Sequence, residues 1–317
     1  MVIFNRIKNR YKWIYSRYKD YFYLRNNLLA DNEEYKNVFV GSSYTLFGIV
    51  PSNNSTVLAL QSQDIYYSYK ILQEKLKKQK SNNSTLKSTK AFVGLGYYSL
   101  YSDLSLTKSD DETNRIYDVY YPLFNDMHNM SSETYRGAFE RLDVFDKVLI
   151  AFFKNFNKII WGEQQCSYFD TVVTRESKAL KNWPNKEKDW NDLTGDERIE
   201  AARMRVLAHE RSLKHYQTSQ ENKKIIREIK KICIDSGYEL CVFIAPMTKE
   251  YLECMTDDFK QKGQELLDFL KEEEIKVVDC NHYNLFNTED FVDMDHLSLS
   301  GASKLTELLV NILENNK

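Results

Sequence analysis

The sequence predicts an α/β protein with a doubly wound sheet of about five parallel strands and a mostly helical insertion. Short apolar runs alternate with helical patterns, as in parallel sheets covered on both faces. Only 10 glycines and 4 prolines occur in 317 residues, too few for a turn-dense all-β fold. Apolar residues make up 42% and charged residues 28%, which excludes wholly disordered, collagen-like and disulfide-scaffold proteins.

Five short apolar runs are the predicted strands, at residues 37–40, 56–60, 91–94, 240–245 and 275–279. Helical patterns cover residues 65–76 and 257–273, and a last helix opens at Ser300-Gly301. Residues 77–90 have no apolar period and are predicted to form a loop. In a flavodoxin-like sheet of this kind, ligands bind beyond the carboxyl ends of the strands, so the residues that follow each strand are the candidates for function.

Two regions lie outside the predicted sheet. Residues 1–35 are predicted to form a basic amphipathic helix, because apolar and aromatic residues recur there at steps of three and four: Ile3, Ile7, Tyr11, Ile14, Tyr18 and Phe22. This helix either packs on the rest of the protein or contacts an anionic membrane surface through residues 1–30. Residues 105–235 are predicted to be a mostly helical insertion in a domain that spans residues 36–317.

Composition limits the partners and the compartment. The net charge is -2, which argues against a nucleic-acid binder. The cysteines are odd in number and lack a C-x-x-C pair, which favours reduced thiols: Cys166, Cys233, Cys241, Cys254 and Cys280. We therefore expect a cytoplasmic protein, at the inner face of the membrane if the N-terminal helix binds lipid. Phosphate-binding loop motifs are absent, and no cofactor is expected.

The first catalytic candidate is Ser43, in Gly41-Ser42-Ser43 directly after the first predicted strand. A serine at a strand-to-helix turn can present its Oγ outward, and a glycine two residues earlier lets the backbone turn tightly. The amides at the start of the following helix can bind a developing oxyanion. An isolated turn of this composition more often only caps a helix.

The second candidate is Asp293 with His296, just before the last predicted helix. An aspartate three residues before a histidine can accept a hydrogen bond from Nδ1, which fixes the tautomer and leaves Nε2 as a base. A serine nucleophile needs such a base, because a free hydroxyl attacks poorly. The alternative is a surface turn with a helix-capping aspartate.

Together, these two motifs resemble the first and last blocks of the SGNH (GDSL-like) hydrolase superfamily, with Ser43 as nucleophile, His296 as base and Asp293 as orienting acid. The string DMDHLSLSGASKLT resembles SGNH-like proteins encoded with bacterial surface-polysaccharide genes, several of them linked to O-acyl transfer or removal. The resemblance covers about residues 36–104 and 236–315. It implies a serine-dependent ester hydrolase or O-acyltransferase, with acetyl as the expected acyl group and a bacterial polysaccharide or its precursor as the carbohydrate partner.

The sequence departs from this family at the oxyanion hole. The middle residue of the first block, usually aspartate, is serine here. The second block usually supplies a glycine amide, and the corresponding segment offers Gln61 or Ser62 instead. The third block usually ends Gly-x-Asn, and here no asparagine follows Gly96 and Tyr97. The expected donors are therefore the Ser43 amide, Ser62 or a tyrosine hydroxyl.

Three further hypotheses remain from the sequence. A non-catalytic glycan-binding or assembly protein on the same fold would explain the incomplete oxyanion blocks and the 22 tyrosines. A metal-dependent hydrolase would use an Asp/His cluster, although no ligand spacing demands a metal: Asp279, His282, Asp293, Asp295 and His296. Basic residues that share a helical segment form either a cationic lip over the site or a solvated face: Arg203, Arg205, His209 and Arg211.

Overall fold

The computed structural model describes residues 34–52, 54–81, 88–107, 110–130 and 189–314, together with residues 6, 10, 20, 21, 23–25, 27 and 28. The chain divides into two compact units. The first consists of residues 1–31 and 104–168, and the second of residues 32–103 and 169–317. We call the second the sheet unit, because it holds every strand found among the described residues.

Five strands form one sheet, in which every pairing is parallel, as predicted. In chain order they are β1 (Asn37–Gly41), β2 (Ser55–Ala59), β3 (Lys90–Leu95), β4 (Glu239–Ile244) and β5 (Lys276–Asp279). They are hydrogen-bonded in the order β2-β1-β3-β4-β5, which is the doubly wound, flavodoxin-like order. The order reverses between β1 and β3, so the carboxyl ends of these two strands mark the crevice where such sheets bind ligands.

Helices connect the strands of the sheet. In chain order the helices are α1 (Ser43–Gly48), α2 (Ile65–Ser81), α3 (Asp110–Arg115), α4 (Tyr121–Phe124), α5 (Gly195–Glu210), α6 (Tyr216–Asp235), α7 (Lys249–Cys254), α8 (Asp257–Glu272) and α9 (Leu299–Glu314). Short 3₁₀ turns lie at Ser99–Tyr101, Leu104–Leu106, Trp190–Asp192, Cys280–His282 and Thr288–Asp290. In the sheet unit, α2 packs against α6, and α9 packs against α1.

Most of the described residues of the first unit are helical. Helix α3 continues through a π-helical turn, Ile116–Tyr120, into α4. Helix α4 ends at Asn125, whose φ of 51° lies in the left-handed region that asparagine tolerates. Arg115 forms an ion pair with Asp20 at 3.9 Å within this unit.

One helix boundary differs from the prediction. The loop expected from residue 77 begins later, because α2 continues to Ser81. The added turn is rich in lysine and glutamine, which favour a helix without needing an apolar face. The end of the apolar pattern at residue 76 therefore marks where α2 leaves the core, and the helix continues to Ser81.

The predicted N-terminal helix and insertion have different outcomes. The six residues of the predicted N-terminal stripe lie outside the described residues, so the helix and its membrane contact stay predictions. The predicted insertion at residues 105–235 has described residues in both units: those up to residue 130 belong to the first unit, and α5 and α6 belong to the sheet unit. Among the described helices, none combines the length and apolar character that a bilayer span requires.

Two glycines let α1 approach the ends of β1 and β3. Gly41 ends β1 with a φ of +147°, and Gly94 is its neighbour on β3. A Cβ atom on Gly41 would lie 2.3 Å from Thr45 Oγ1, and one on Gly94 would lie 2.1 Å from that oxygen and 2.5 Å from Phe243 Cζ. The space lets Thr45 Oγ1 donate to the carbonyl oxygen of Val40 at 3.2 Å, which ties α1 to the end of β1.

We predict that Gly94→Ala lowers the free energy of unfolding by about 1–3 kcal/mol, because Thr45 and Phe243 must move to admit the methyl group. Gly195→Ala is the matched control. A Cβ atom there meets nothing within 4 Å, so this change is expected to be neutral or to stabilise by up to about 1 kcal/mol. Urea unfolding followed by circular dichroism measures both, and equal midpoints for the two variants would contradict the packing argument.

Candidate active site

Ser43 is the first residue of α1, directly past the carboxyl end of β1. Its neighbour Ser42 caps the helix: the Ser42 hydroxyl oxygen accepts a hydrogen bond from the amide of Tyr44 at 3.4 Å. The first amides of a helix have no intrahelical acceptor, so the Ser43 N–H is available in principle to an incoming oxyanion. The two serines of the turn thus have separate roles, one as cap and one as a partly exposed hydroxyl.

His296 and Asp293 lie in a tight loop between β5 and α9. An antiparallel bridge joins the arms of the loop, and the amide of Val292 donates to the carbonyl of His296 at 3.0 Å. At the tip, Asp293 Oδ1 accepts hydrogen bonds from the amides of Asp295 at 2.9 Å and His296 at 2.8 Å. Such a turn, in which an aspartate side chain holds the backbone ahead of it, fixes the carboxylate beside the imidazole.

Asp290 anchors this loop to the start of α9. Its carboxylate accepts hydrogen bonds from Lys304 Nζ at 2.6 Å and Ser300 Oγ at 3.0 Å. Burial raises the pKa of Asp290, but the hydrogen bonds and the charge of Lys304 outweigh it and lower the pKa overall. Gly301 packs so closely that a Cβ atom would lie 2.2 Å from the carbonyl oxygen of Asp290. The Ser-Gly pair that opens α9 therefore also positions the loop.

The segment after β4 holds the other side of the loop. The amide and the hydroxyl of Thr248 both donate to the carbonyl of Met294, at 3.1 and 3.0 Å. This segment is in turn fixed by Asn281, which accepts from the amide of Met247 at 2.8 Å and donates to the carbonyl of Ala245 at 3.0 Å. The residues that follow β4 and β5 thus support the loop that carries the imidazole.

The two sequence motifs meet at His296. Its Nε2 atom lies 2.8 Å from Ser43 Oγ, and its Nδ1 atom lies 2.8 Å from Asp293 Oδ2. When Nδ1 carries the proton and donates to Asp293, Nε2 is left to accept the proton of Ser43. The imidazole packs edge-on against Phe47, with 5.2 Å between ring centres, and lies tilted against Tyr44 at 5.7 Å. Only 13% of its side chain is exposed.

The carboxylates around His296 favour the protonated, positively charged form of its imidazole. Burial lowers the pKa of His296, but the carboxylates of Asp293 and Asp295 outweigh burial and raise it above its ordinary value. Burial likewise raises the pKa of Asp293, but the charge and hydrogen bond of His296 lower it to about 2. The imidazolium that forms when a serine proton moves to His296 is therefore stabilised by its surroundings.

A second carboxylate, Asp295, lies behind the imidazole. Its Oδ2 atom accepts hydrogen bonds from Arg205 Nε at 2.8 Å and Tyr44 Oη at 3.0 Å, and its side chain is completely buried. Its Oδ1 atom lies 3.4 Å from His296 Nδ1. The sequence pattern suggested Asp295 only as a metal ligand, and its pairing with Arg205 joins α5 to the site.

His209, one helical turn after Arg205, completes this wall. Its Nδ1 atom lies 2.6 Å from Tyr251 Oη, and its ring stacks on Tyr98 with 3.9 Å between ring centres. Burial and the nearby Arg205 lower the pKa of His209 well below its ordinary value, so the ring is neutral. Of the predicted cationic lip, Arg205 contributes a charge here, whereas Arg203 and Arg211 are exposed.

Two of the four predicted oxyanion residues have their polar groups engaged elsewhere. The Gly96 amide donates to a neighbouring serine hydroxyl at 2.8 Å, and Tyr97 Oη donates to the carboxylate of Asp279 at 2.9 Å. Gln61 and Ser62 form the turn after β2, with Gln61 exposed and Ser62 at a φ of 58°. The Ser43 amide is therefore the donor that the backbone geometry supports most directly.

The residues of the predicted metal cluster fall into two groups. Asp293, Asp295 and His296 have ligand atoms within 4.8 Å of one another, whereas His282 Nδ1 pairs with Asp279 at 3.2 Å. In the first group, His296 Nδ1 and the carboxylate of Asp293 already bind each other, and a guanidinium neutralises Asp295. These partners fit a proton relay better than a cation site, because a divalent ion would compete with both contacts.

Comparison with known proteins does not assign the chain to a family. No protein-family model matches it, and no curated protein matches it. The argument about function therefore depends on the residues and distances of the site itself.

We predict that Asp293→Asn flattens the pH dependence of stability. The folded pKa of Asp293, about 2, lies below the ordinary value of about 3.9, so its contribution is present above pH 4 and is lost as the pH falls to about 2. The raised pKa of His296 acts with the opposite sign: its contribution is present below about pH 6.5 and is lost as the pH rises through the folded value.

Urea unfolding between pH 2 and pH 8 measures both effects. The Asp293→Asn variant should lose the acid-range slope and show a smaller slope above pH 6.5. Asp257→Asn, a change on the exposed first turn of α8, is the control and should keep the wild-type profile. Superimposable profiles of stability against pH for Asp293→Asn and the wild type would contradict the ion pair between Asp293 and His296 as the source of the pH dependence.

Proposed function

We propose that the protein is a serine-dependent ester hydrolase or O-acyltransferase in which Ser43 is the nucleophile, His296 the base and Asp293 the orienting acid. The observation that carries the proposal is the pair of 2.8 Å contacts on opposite nitrogens of the His296 ring. The location supports it, because the relay lies where the strand order reverses, beyond the carboxyl end of β1.

In the first half of the proposed reaction, Ser43 Oγ attacks the acyl carbonyl carbon while His296 Nε2 takes the hydroxyl proton. The Ser43 amide donates to the oxygen that becomes negative. The intermediate collapses, His296 returns its proton to the leaving alcohol oxygen, and the acyl group remains as an ester on Ser43. In the second half, His296 Nε2 takes a proton from water or a sugar hydroxyl while that oxygen attacks the acyl carbon. The bond between the acyl carbon and Ser43 Oγ then breaks, and His296 returns the proton to Ser43 Oγ.

The proposed substrate class follows from the resemblance to SGNH (GDSL-like) hydrolases. In this chain the Gly-x-Ser motif begins at the last residue of β1 and the Asp-x-x-His motif precedes α9, which resembles the arrangement of that superfamily's first and last blocks. We therefore propose an acetyl group as the acyl group and a bacterial polysaccharide or its precursor as the carbohydrate substrate. A cytoplasmic location is proposed with it, supported by four free thiols: Cys233, Cys241, Cys254 and Cys280.

We predict that Ser43→Ala abolishes reaction with a fluorophosphonate probe and lowers hydrolysis of a chromogenic acetyl ester by about 10³-fold or more, because the attacking oxygen is lost. Mass spectrometry of the labelled wild-type peptide should place the probe on Ser43. Products formed with and without a sugar acceptor then distinguish acyl transfer from hydrolysis.

Ser42→Ala is the matched control, since it removes the neighbouring hydroxyl, which caps α1. This variant should lose about 1 kcal/mol of stability but keep the label on Ser43. Labelling that survives Ser43→Ala would remove Ser43 from the nucleophile role. No labelling of the wild type together with measurable oligosaccharide binding would instead favour a non-catalytic glycan-binding protein.

We predict that a chelator such as EDTA leaves ester hydrolysis unchanged within about twofold, because the His296 ring nitrogens are both engaged by protein groups. The rate is measured before and after dialysis against the chelator. Activity that is lost on dialysis and restored by a divalent cation would favour the metal-dependent hydrolase, with Asp293, Asp295 and His296 as the ligands.

A further inference from the structure

The two oxygens of Asp295 have different surroundings. Oδ2 accepts hydrogen bonds from Arg205 and Tyr44, whereas Oδ1 has no hydrogen-bond partner among the described residues. Oδ1 lies 3.4 Å from His296 Nδ1, the same atom that lies 2.8 Å from Asp293 Oδ2. The imidazole therefore faces two carboxylates on its Nδ1 side, of which only one is held in hydrogen-bond contact.

A purely structural role for Asp295 leaves this arrangement unexplained. Buried carboxylate oxygens are normally hydrogen-bonded, because removing them from water without a partner is unfavourable. Asp293 accepts from the amides of Asp295 and His296, and backbone carbonyls accept from those of Val292 and Ser298, so these hydrogen bonds of the loop backbone do not involve the Asp295 side chain. When His296 takes a proton at Nε2, the ring becomes positive and is attracted more strongly to both carboxylates, including Oδ1 at 3.4 Å from Nδ1.

We propose that Asp295 and Arg205 form a positioning pair that tunes how strongly His296 holds a proton. Asp295 supports the imidazolium that forms when Ser43 loses its proton. The positive charge of Arg205 offsets part of the negative charge of Asp295, so the imidazolium can still release its proton to the leaving group. The inference rests on the proposed function, because it concerns the same base, and neither residue of the pair contacts the reacting atoms.

The charges around His296 support this division of roles. The loop itself places two carboxylates near the ring, Asp293 and Asp295. The other titratable or charged groups come from three further segments: Arg205 and His209 from α5, Tyr44 from α1, and Tyr98 after β3. Burial lowers the pKa of His296, the two carboxylates raise it and Arg205 lowers it. Burial keeps His209 neutral by lowering its pKa and keeps Tyr44 neutral by raising its pKa.

Helix α5 is built to hold Arg205 in place. Thr194 and Glu197 form a capping box at the start of the helix, in which each side chain binds the backbone of the other. Arg198 pairs with Glu250 of α7 at 3.1 Å, which fixes α5 to the neighbouring helix. The guanidinium therefore reaches Asp295 from a supported element, as preorganisation of a charge requires.

The test measures the titration of His296 directly. In the full chain with isotope-labelled histidine, the His296 signal is assigned by its loss in His296→Gln, and its titration is followed by NMR. We expect Asp295→Asn to move the titration to lower pH and Arg205→Gln to move it to higher pH, whereas Arg205→Lys stays close to the wild type. In each variant, the acid limb of the pH profile of kcat/KM for an acetyl ester should move in the same direction as the His296 titration. In Asp295→Asn, kcat should fall about tenfold while KM is unchanged.

The outcomes separate this proposal from the proposed function. The positioning pair is overturned if the His296 titration moves in the same direction in Asp295→Asn and Arg205→Gln, or if it moves in neither variant. Labelling of Ser43 would then still support the esterase. Opposite shifts without labelling of Ser43 support the pair and overturn the esterase. If Arg205→Gln fails to fold, Tyr44→Phe removes one donor from Asp295 with the ring retained, and it should move the titration to higher pH; an unchanged titration there overturns the pair.

Discussion

One imidazole joins two parts of the chain that are 253 positions apart. Both of its nitrogens are engaged, so the turn after β1 and the loop before α9 must be placed to within a few tenths of an ångström. The parallel sheet supplies that placement, since it brings the carboxyl ends of all five strands to one edge. Gly41 and Gly94 then let α1 settle on this edge, and Asp290 fixes the loop from the side of α9.

The charges at this edge are unequal in the resting state. Two buried carboxylates, Asp293 and Asp295, face one guanidinium when the imidazole of His296 is in the neutral form that a base requires. Buried charges without partners are unfavourable, so the set is better balanced when His296 is protonated. In the proposed reaction, proton transfer from Ser43 would create that cation, so the surrounding charges are already placed to stabilise it, as preorganised electrostatic catalysis requires.

The parts of the structure that could be predicted are those encoded over short distances. Each strand is a run of apolar residues, and the Asp-x-x-His turn needs only the backbone between its ends. The role of Arg205 could not be predicted, because nothing local distinguishes it from Arg203 or Arg211, and only the packing of α5 directs it to Asp295. The hydrogen bond from Tyr97 to Asp279 could not be predicted either, since the two residues are 182 positions apart in the sequence.

The oxyanion side of the site is less complete than the base side. The Gly96 amide and the Tyr97 hydroxyl have other acceptors, which leaves the Ser43 amide as the donor that the geometry supports most directly. Each missing donor typically costs about 2.7–4 kcal/mol of transition-state stabilisation. An activated ester with a good leaving group needs less of that stabilisation than a sugar ester does. For the proposed esterase, reaction of Ser43 with activated esters and turnover of a natural glycan ester would therefore be separate properties, and the second would need further donors from the substrate or from the turn after β2.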